Sequence, residues 1–295
     1  MFNQTLTLND NHTIPQLGLG TWLIDDDAVA EPVYHAIAHG YRHIDTAQAY
    51  GNEAGVGRGI ARALEEGLVT RDELFITTKI EGDIKDHDGA AASITESLKK
   101  LGLDYLDLVI IHSPQPWDEF RADSNFDKEN LEVWRALEEA QSAGTVRSIG
   151  VSNFLKSDLQ NILDHGSVPP AVNQVLAHVT NIPTDLIDFA KSHHITTEAY
   201  SPIAHGAALN IPELKEIAER YGVTVPQLCV RYTLQLGLIA LPKSATNEHI
   251  DSNADVEFEI SDADMETLNN LPPLENYGED GSFPVFDKAA ANRKA

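Results

Sequence analysis

The chain has 295 residues, 42% of them hydrophobic and 23% charged, which is enough length and apolar content to bury a sizeable core and excludes a mainly disordered state. Its 46 Asp and Glu against 21 Lys and Arg give a formal charge of −25, and the basic residues do not cluster in runs, which argues against sequence-independent binding to nucleic acid or to an anionic membrane surface. The single cysteine, Cys229, excludes an intramolecular disulfide and a cysteine-rich zinc site and is expected in the core. With no basic and apolar leader in MFNQTLTLNDNHT and no run of about 18 apolar residues, the expectation is a soluble, cytoplasmic protein.

In chain order, residues 5–8 and 13–17 flank the turn-rich Asn9-Asp10-Asn11-His12 and are expected to form a β-hairpin closing one end of the fold. Eight strand-length apolar runs follow, at 17–20, 43–47, 74–80, 106–112, 148–152, 172–175, 197–200 and 238–242. Between them lie stretches of helical period at 28–39, 54–66, 90–101, 131–143, 155–165, 183–193 and 211–237, the last split near Gly222. Gly40, Gly67, Gly102, Gly144 and Gly166 stand just past helices, where a left-handed residue is wanted. Asp25-Asp26-Asp27 lacks the glycine and final glutamate of a calcium loop and is expected to cap the first helix. Eight βα units without a compositional break predict an α/β fold, a (β/α)8 TIM barrel in one domain over 1–295. The hairpin within 1–16 would cap it, long loops such as 113–130 would lie at the C-terminal face, and 271–295 would be a loop and tail.

In such a barrel the chemistry sits at the C-terminal ends of the strands. Three adjacent strands deliver Asp45, with Tyr50 just after it, then Lys79, then His112. Asp, His or Tyr alone has an ordinary structural explanation, but an ammonium at the end of a buried strand needs compensation, and Asp45 can supply it. Together the four make a proton-donating device. A cation beside a phenol makes it a better acid, so Lys79 held by Asp45 would let Tyr50 donate a proton, while His112 as a neutral donor orients a carbonyl.

The ordered motifs Gly18-Leu19-Gly20-Thr21-Trp22, Gly40 to Ala47 through Tyr50-Gly51-Asn52-Glu53, Thr77-Thr78-Lys79, Ile110-Ile111-His112, Ile149 to Phe154, Asn173-Gln174-Val175, Ala199-Tyr200-Ser201-Pro202 and Leu241-Pro242-Lys243-Ser244 resemble those of the aldo-keto reductases over about the whole chain. The look is that of small bacterial reductases of the 2,5-diketo-D-gluconate reductase type. The resemblance implies a monomer that reduces a small-molecule carbonyl with NADP(H), NAD(H) being possible, by hydride transfer from nicotinamide C4 and proton transfer from Tyr50. It further implies that Tyr200 stacks on the nicotinamide while Ser152, Asn153 and Gln174 hold its carboxamide. Gly20, Thr21, Trp22, Ser201, Pro202 and Ile203 would line the cofactor, the 201–206 loop passing over the pyrophosphate. Lys243 and Ser244 would meet the 2′-phosphate, and Asn253 the adenine. No G-x-G-x-x-G or P-loop is present, which argues against a Rossmann domain and not against a nicotinamide cofactor.

The sequence departs from that pattern in places. His249 stands where the family usually has arginine, which stays charged and forks onto phosphate, so NADP preference is expected to be weakened and to shrink as pH rises from about 6 to 8. Ser252 replaces a common glutamate beside Asn253. His112 is followed by Ser113 and Pro114 in place of Trp-Pro, which predicts a pocket that is roomier or more polar there. Ser113, Trp22 and Trp117, with Tyr50 and His112, are the expected substrate-side residues, and 277–286 would add further walls. Two alternatives compete: a Schiff-base lyase using Lys79, and a cofactor-binding redox sensor with little turnover. No metal site is expected, since the twelve histidines are scattered and neither His193-His194 nor Asp86-His87-Asp88 has a ligand spacing with a recognisable third partner.

Overall fold

The computed structural model describes Phe2, residues 4–274 and Tyr277. After the antiparallel pair β1 (Thr5–Thr7) and β2 (Thr13–Pro15) comes one parallel sheet of eight strands: β3 (Gly18–Gly20), β4 (His43–Asp45), β5 (Phe75–Ile80), β6 (Leu106–Ile111), β7 (Val146–Ser152), β8 (Val172–Leu176), β9 (Thr196–Tyr200) and β10 (Ile239–Leu241). Each strand pairs with the next in sequence, and Leu17 and Gly20 make parallel bridges to Ala240 and Lys243, so the last strand meets the first and the sheet closes. The expected (β/α)8 barrel is thus observed. Every residue of β5 and β6 is buried, as befits strands covered on both faces.

The connecting helices are α1 (Ala30–His39), α2 (Glu53–Glu65), α3 (His87–Leu101), α4 (Asp127–Ser142), α5 (Lys156–His165), α6 (Thr184–Ser192), α7 (Pro212–Tyr221) and α8 (Val225–Gln235), followed by α9 (Asn247–Ala254) and α10 (Asp262–Asn269). The split at Gly222 is as expected, with φ 67°. Neither α9 nor α10 was evident in the sequence, both being eight residues long and polar. Cys229 is buried on α8, and burial pushes its thiol up to about 12, which makes it a packing residue.

Two local expectations are corrected. Gly40, Gly67, Gly102 and Gly144 do adopt positive φ, but Gly166 is extended, at φ −77° and ψ 161°. It is needed for close approach instead, since a Cβ there would lie 2.8 Å from the Ile162 carbonyl oxygen and 2.9 Å from the Trp134 ring. The aspartate run does not cap α1, whose N-terminal residue has no side-chain cap. Asp26 reaches across to α2, where it accepts from the Gly55 N–H at 2.6 Å and pairs with Arg58 at 2.9 Å.

Leu8 and Ile14 from the hairpin region pack in one cluster with Phe75, Leu108, Ile110, Val172, Ile239 and Leu241. These side chains come mainly from the first halves of the strands, so the hairpin fills the N-terminal end of the barrel and polar groups are left for the other end. Among the described residues no helix is long and apolar enough to cross a membrane.

Candidate active site

Side chains alternate along a strand, and the helix-facing cluster claims Ile44, Ile76, Ile80, Val109, Ile111, Ile149, Val151, Val175 and Ala199. The opposite parity therefore faces the barrel axis: His43 and Asp45 on β4; Thr77 and Lys79 on β5; Gln174 on β8; Glu198 and Tyr200 on β9. His112 continues β6 in the same parity, its N–H donating to the Ile80 carbonyl at 3.1 Å. Gly150 lies on that face too, and a Cβ there would come within 2.7 Å of the Val172 oxygen.

These side chains form one buried polar chain. Lys79 Nζ donates to Asp45 Oδ1 at 2.6 Å and to the Thr46 carbonyl at 2.8 Å, and no part of its side chain is exposed. Gln174 Nε2 donates to Asp45 Oδ2 at 2.9 Å and to Glu198 Oε2 at 2.8 Å, so both amide protons are used. His43 Nε2 lies 3.0 Å from Thr77 Oγ1 and 3.7 Å from Glu198 Oε1. Burial lowers His43 to about 4, which keeps it neutral. One ammonium thus serves two buried carboxyl groups, and Asp45 holds it directly. Glu198, raised well above the usual carboxylate range by burial and then by the Asp45 charge, is the one that keeps a proton.

Tyr50 ends a short 3₁₀ turn, Gln48–Tyr50, closed by Gly51 at φ 67°. The turn is tied to α3 by Gln48 Nε2, which donates to Ser97 Oγ at 3.0 Å. Lys79 Nζ sits 4.9 Å from the Tyr50 ring centroid, and the Tyr50 and His112 rings meet edge to face at 5.7 Å. His112 is held well below its ordinary value by burial and by the Lys79 charge, so the imidazole is neutral as expected. Burial, then the Asp45 charge, raises the Tyr50 phenol above its ordinary value. Tyr50 therefore keeps its proton.

On the other side of this centre, Ser152 Oγ donates to the Gln174 carbonyl at 2.8 Å. Asn153, at φ 61°, donates from Nδ2 to the His112 carbonyl at 3.0 Å and accepts the Tyr200 hydroxyl on Oδ1 at 2.8 Å, which fixes the Tyr200 ring. Arg121, from the 113–126 loop, clamps the Asn153 carbonyl at 2.8 Å.

A cavity of about 810 Å³ runs from Tyr50 and His112 past Tyr200 to Lys243, His249 and Asn253. Gly20, Thr21, Trp22, Asp45, Ser152, Asn153, Gln174, Ser201, Pro202 and Ile203 also line it. Lys79 lies behind Asp45, outside the lining. Ser244 is also outside, its Oγ accepting the Thr246 N–H at 3.1 Å. Ser113 is fully buried and is not among the residues that line the cavity. Trp117 packs edge to face on His112 at 5.0 Å and likewise lies outside the lining. Of 277–286, Tyr277 meets His178 at 2.5 Å, and 278–286 lie outside the described residues.

Lining residues without a sequence signal are Leu23, Leu209, Lys215, Thr224, Val225, Pro226 and Glu248. Lys215 comes from α7, and among the described residues neither it nor Lys243 forms an ion pair, in a chain with a large carboxylate excess. Three non-glycine residues of the 201–206 loop, Ser201, Ala204 and His205, are held at φ 50–53° beside the cavity, a concentration of backbone strain typical of a binding segment. A second cavity, about 1150 Å³, lies at the hairpin end; its lining residues Asp188, Lys191 and His194 are exposed, and Tyr232 is buried.

Comparison with known proteins agrees with this geometry. Residues 16–272 match the aldo/keto reductase family. The chain is 38% identical over 267 residues to the uncharacterized oxidoreductase YtbE of Bacillus subtilis, covering 90% of this chain and 91% of the relative. It is 37% identical over 284 residues to the methylglyoxal reductase DkgA of Escherichia coli, covering 95% and 98%. The crystal structure of the Bombyx mori aldo-keto reductase AKR2E4 in complex with NADP superposes with a TM-score of 0.83 at 36% identity, covering 90% of this chain and 92% of that one. With the barrel, the Asp45–Lys79 pair beneath Tyr50 and His112, and these matches, the chain belongs to the aldo/keto reductase family.

Proposed function

We propose that the protein reduces small carbonyl compounds, short dicarbonyls such as methylglyoxal first among them, with NADPH as reductant. What supports this reading is one cavity with the Tyr50 phenol and His112 at one end and, at the other, Lys243 and Lys215, which have no carboxylate partner among the described residues. NADPH, when bound, supplies the hydride. The chain supplies the rest.

Residues at the far end fit an anionic dinucleotide. Lys243 and Lys215 meet phosphate charge, with His249 and Asn253 on α9 at the adenosine side. The Tyr200 ring, fixed through Asn153, offers a flat face to the nicotinamide. Ser152 and Gln174 border it, and Gln174 Oε1 is the amide atom that Asp45 and Glu198 leave unclaimed. At the reacting end His112, neutral and set by packing against Trp117, donates to the carbonyl oxygen and polarises it. As negative charge develops on that oxygen, Tyr50 transfers its phenolic proton to it, and the adjacent Lys79 stabilises the phenolate that results. Asp45 keeps Lys79 charged and in place. Trp22, Leu23 and Leu209 give the pocket mouth apolar walls suited to a small substrate.

This proposal takes the chain as a cytoplasmic monomer acting on a diffusible small molecule. It is supported by the methylglyoxal reductase named among its relatives and by the NADP complex of the silkworm enzyme. The test is NADPH consumption at 340 nm against methylglyoxal, short aldehydes, keto acids and keto sugars, beside a fluorescence titration of NADPH and NADH. Carbonyl-dependent oxidation of NADPH is expected. Tight NADPH binding with no turnover across the panel would make the chain a redox sensor and overturn the proposal.

A further inference from the structure

On the outer face of the barrel, away from the cavity, α1 places His35 and His39 one turn apart on the same side. Asp251 of α9 points between them: His35 Nε2 lies 2.7 Å and His39 Nδ1 3.1 Å from the same oxygen, Asp251 Oδ1. The three ligand-capable atoms all fall within 4.8 Å of one another, and the two imidazoles are nearly parallel, at 15° with centroids 6.0 Å apart.

We propose that this trio is a binding site for a divalent transition-metal ion of the zinc type, which clamps α1 to α9. Two imidazole nitrogens and one carboxylate oxygen are the donor set such ions prefer over magnesium or calcium, and paired histidines four residues apart on a helix present two donors to one ion. Around an ion bound at about 2.0–2.1 Å, tetrahedral ligands stand roughly 3.3 Å apart, so the 2.7 and 3.1 Å carboxylate contacts would open by roughly 0.6 and 0.2 Å, and the two imidazole nitrogens, within 4.8 Å of each other, would settle to the same spacing. The backbone beneath is already set. The buried Tyr41 hydroxyl donates to the Ile250 carbonyl at 2.9 Å, Ile250 is itself buried, and the Phe2 ring packs edge to face on His39 at 5.7 Å. Partial exposure, at 26% for His35, 37% for His39 and 42% for Asp251, leaves an entry path and room for water as the remaining ligand. Since α9 also carries His249 and Asn253 on the cavity side, the ion would fasten one wall of the cavity to the barrel. The sequence alone concealed this site because Asp251 is 216 residues from His35.

The test is isothermal titration of ZnCl2 into the chelator-stripped full-length protein, repeated on His35→Ala/His39→Ala and on Asp251→Ala. All three positions are partly exposed, and circular dichroism of the metal-free variants checks that the fold is kept. One site per chain with a dissociation constant in the micromolar range or below is expected, weakened at least a hundredfold in the double histidine variant and at least threefold in Asp251→Ala. Cobalt(II) should show visible d–d bands in the wild type that the double variant lacks. Binding only at millimolar zinc, or equal binding by wild type and double variant, would assign the uptake to the general carboxylate surface and overturn the proposal.

Discussion

Glu198 offers a sharp test of the buried polar chain. Glu198→Gln keeps size and shape and keeps an oxygen to accept Gln174 Nε2, now 2.8 Å from Glu198 Oε2, but it removes the titrating proton. In the folded protein the Glu198 pKa stands well above 4.5, raised by burial and by Asp45, so between 4.5 and that higher value the native state holds a proton that the unfolded chain releases. Its contribution is fully present below 4.5 and is lost as pH rises through the folded value, at a slope of about 1.4 kcal/mol per pH unit. His43, lowered to about 4, works in the opposite sense between 4 and 6.5, but it is common to both proteins and cancels in the difference. Relative to wild type, Glu198→Gln should therefore gain about 3 kcal/mol between pH 5 and pH 7. With an unfolding entropy near 0.6 kcal/mol/K for a chain of this length, that is a Tm gap widening by roughly 4–5 °C. Scanning calorimetry or guanidinium melts of both proteins from pH 5 to pH 8 measure it. Parallel curves would refute the claim that Glu198 is the proton holder.

Other outcomes follow from single contacts. Gly150→Ala places a Cβ 2.7 Å from the Val172 carbonyl and should cost about 1–3 kcal/mol, seen as a Tm lower by roughly 2–5 °C. Trp117→Ala removes the ring packed 5.0 Å from His112, so bulkier aldehydes should gain in kcat/KM relative to methylglyoxal while NADPH affinity stays within about twofold of wild type. His249→Arg, on the cavity wall, should raise the preference for NADPH over NADH by about tenfold in the ratio of kcat/KM values, since guanidinium forks onto phosphate. An unchanged ratio would place the 2′-phosphate elsewhere, with Lys215 the next residue to alter.

How much the sequence disclosed depended on whether a residue's role was local. Asp45, Lys79 and His112 were legible because each ends an apolar strand run, where an ionisable group needs a reason to be. Glu198 was not, since in Thr-Thr-Glu-Ala-Tyr a glutamate reads as the polar half of an alternating strand. Only closure of the barrel turns that face inward onto Gln174. Gly166 shows the same ambiguity in a smaller way, because a glycine after a helix serves left-handed geometry and close packing alike, and Trp134, which decides between them, is distant in sequence. Asp26 reads as a cap in either account, but which helix it caps depends on how α1 and α2 pack. Lys215 belongs to an outer helix whose approach to the cavity is set by tertiary structure.

The most direct test of the central claim is Tyr50→Phe, assayed for methylglyoxal reduction and for NADPH binding on the same preparation. Removal of a positioned general acid should cut kcat by about 10² to 10⁴-fold. The ring still packs against His112 and under Lys79, so the NADPH dissociation constant should change by less than about threefold. A variant that keeps more than a tenth of the wild-type kcat would contradict the assignment of Tyr50 as the proton donor.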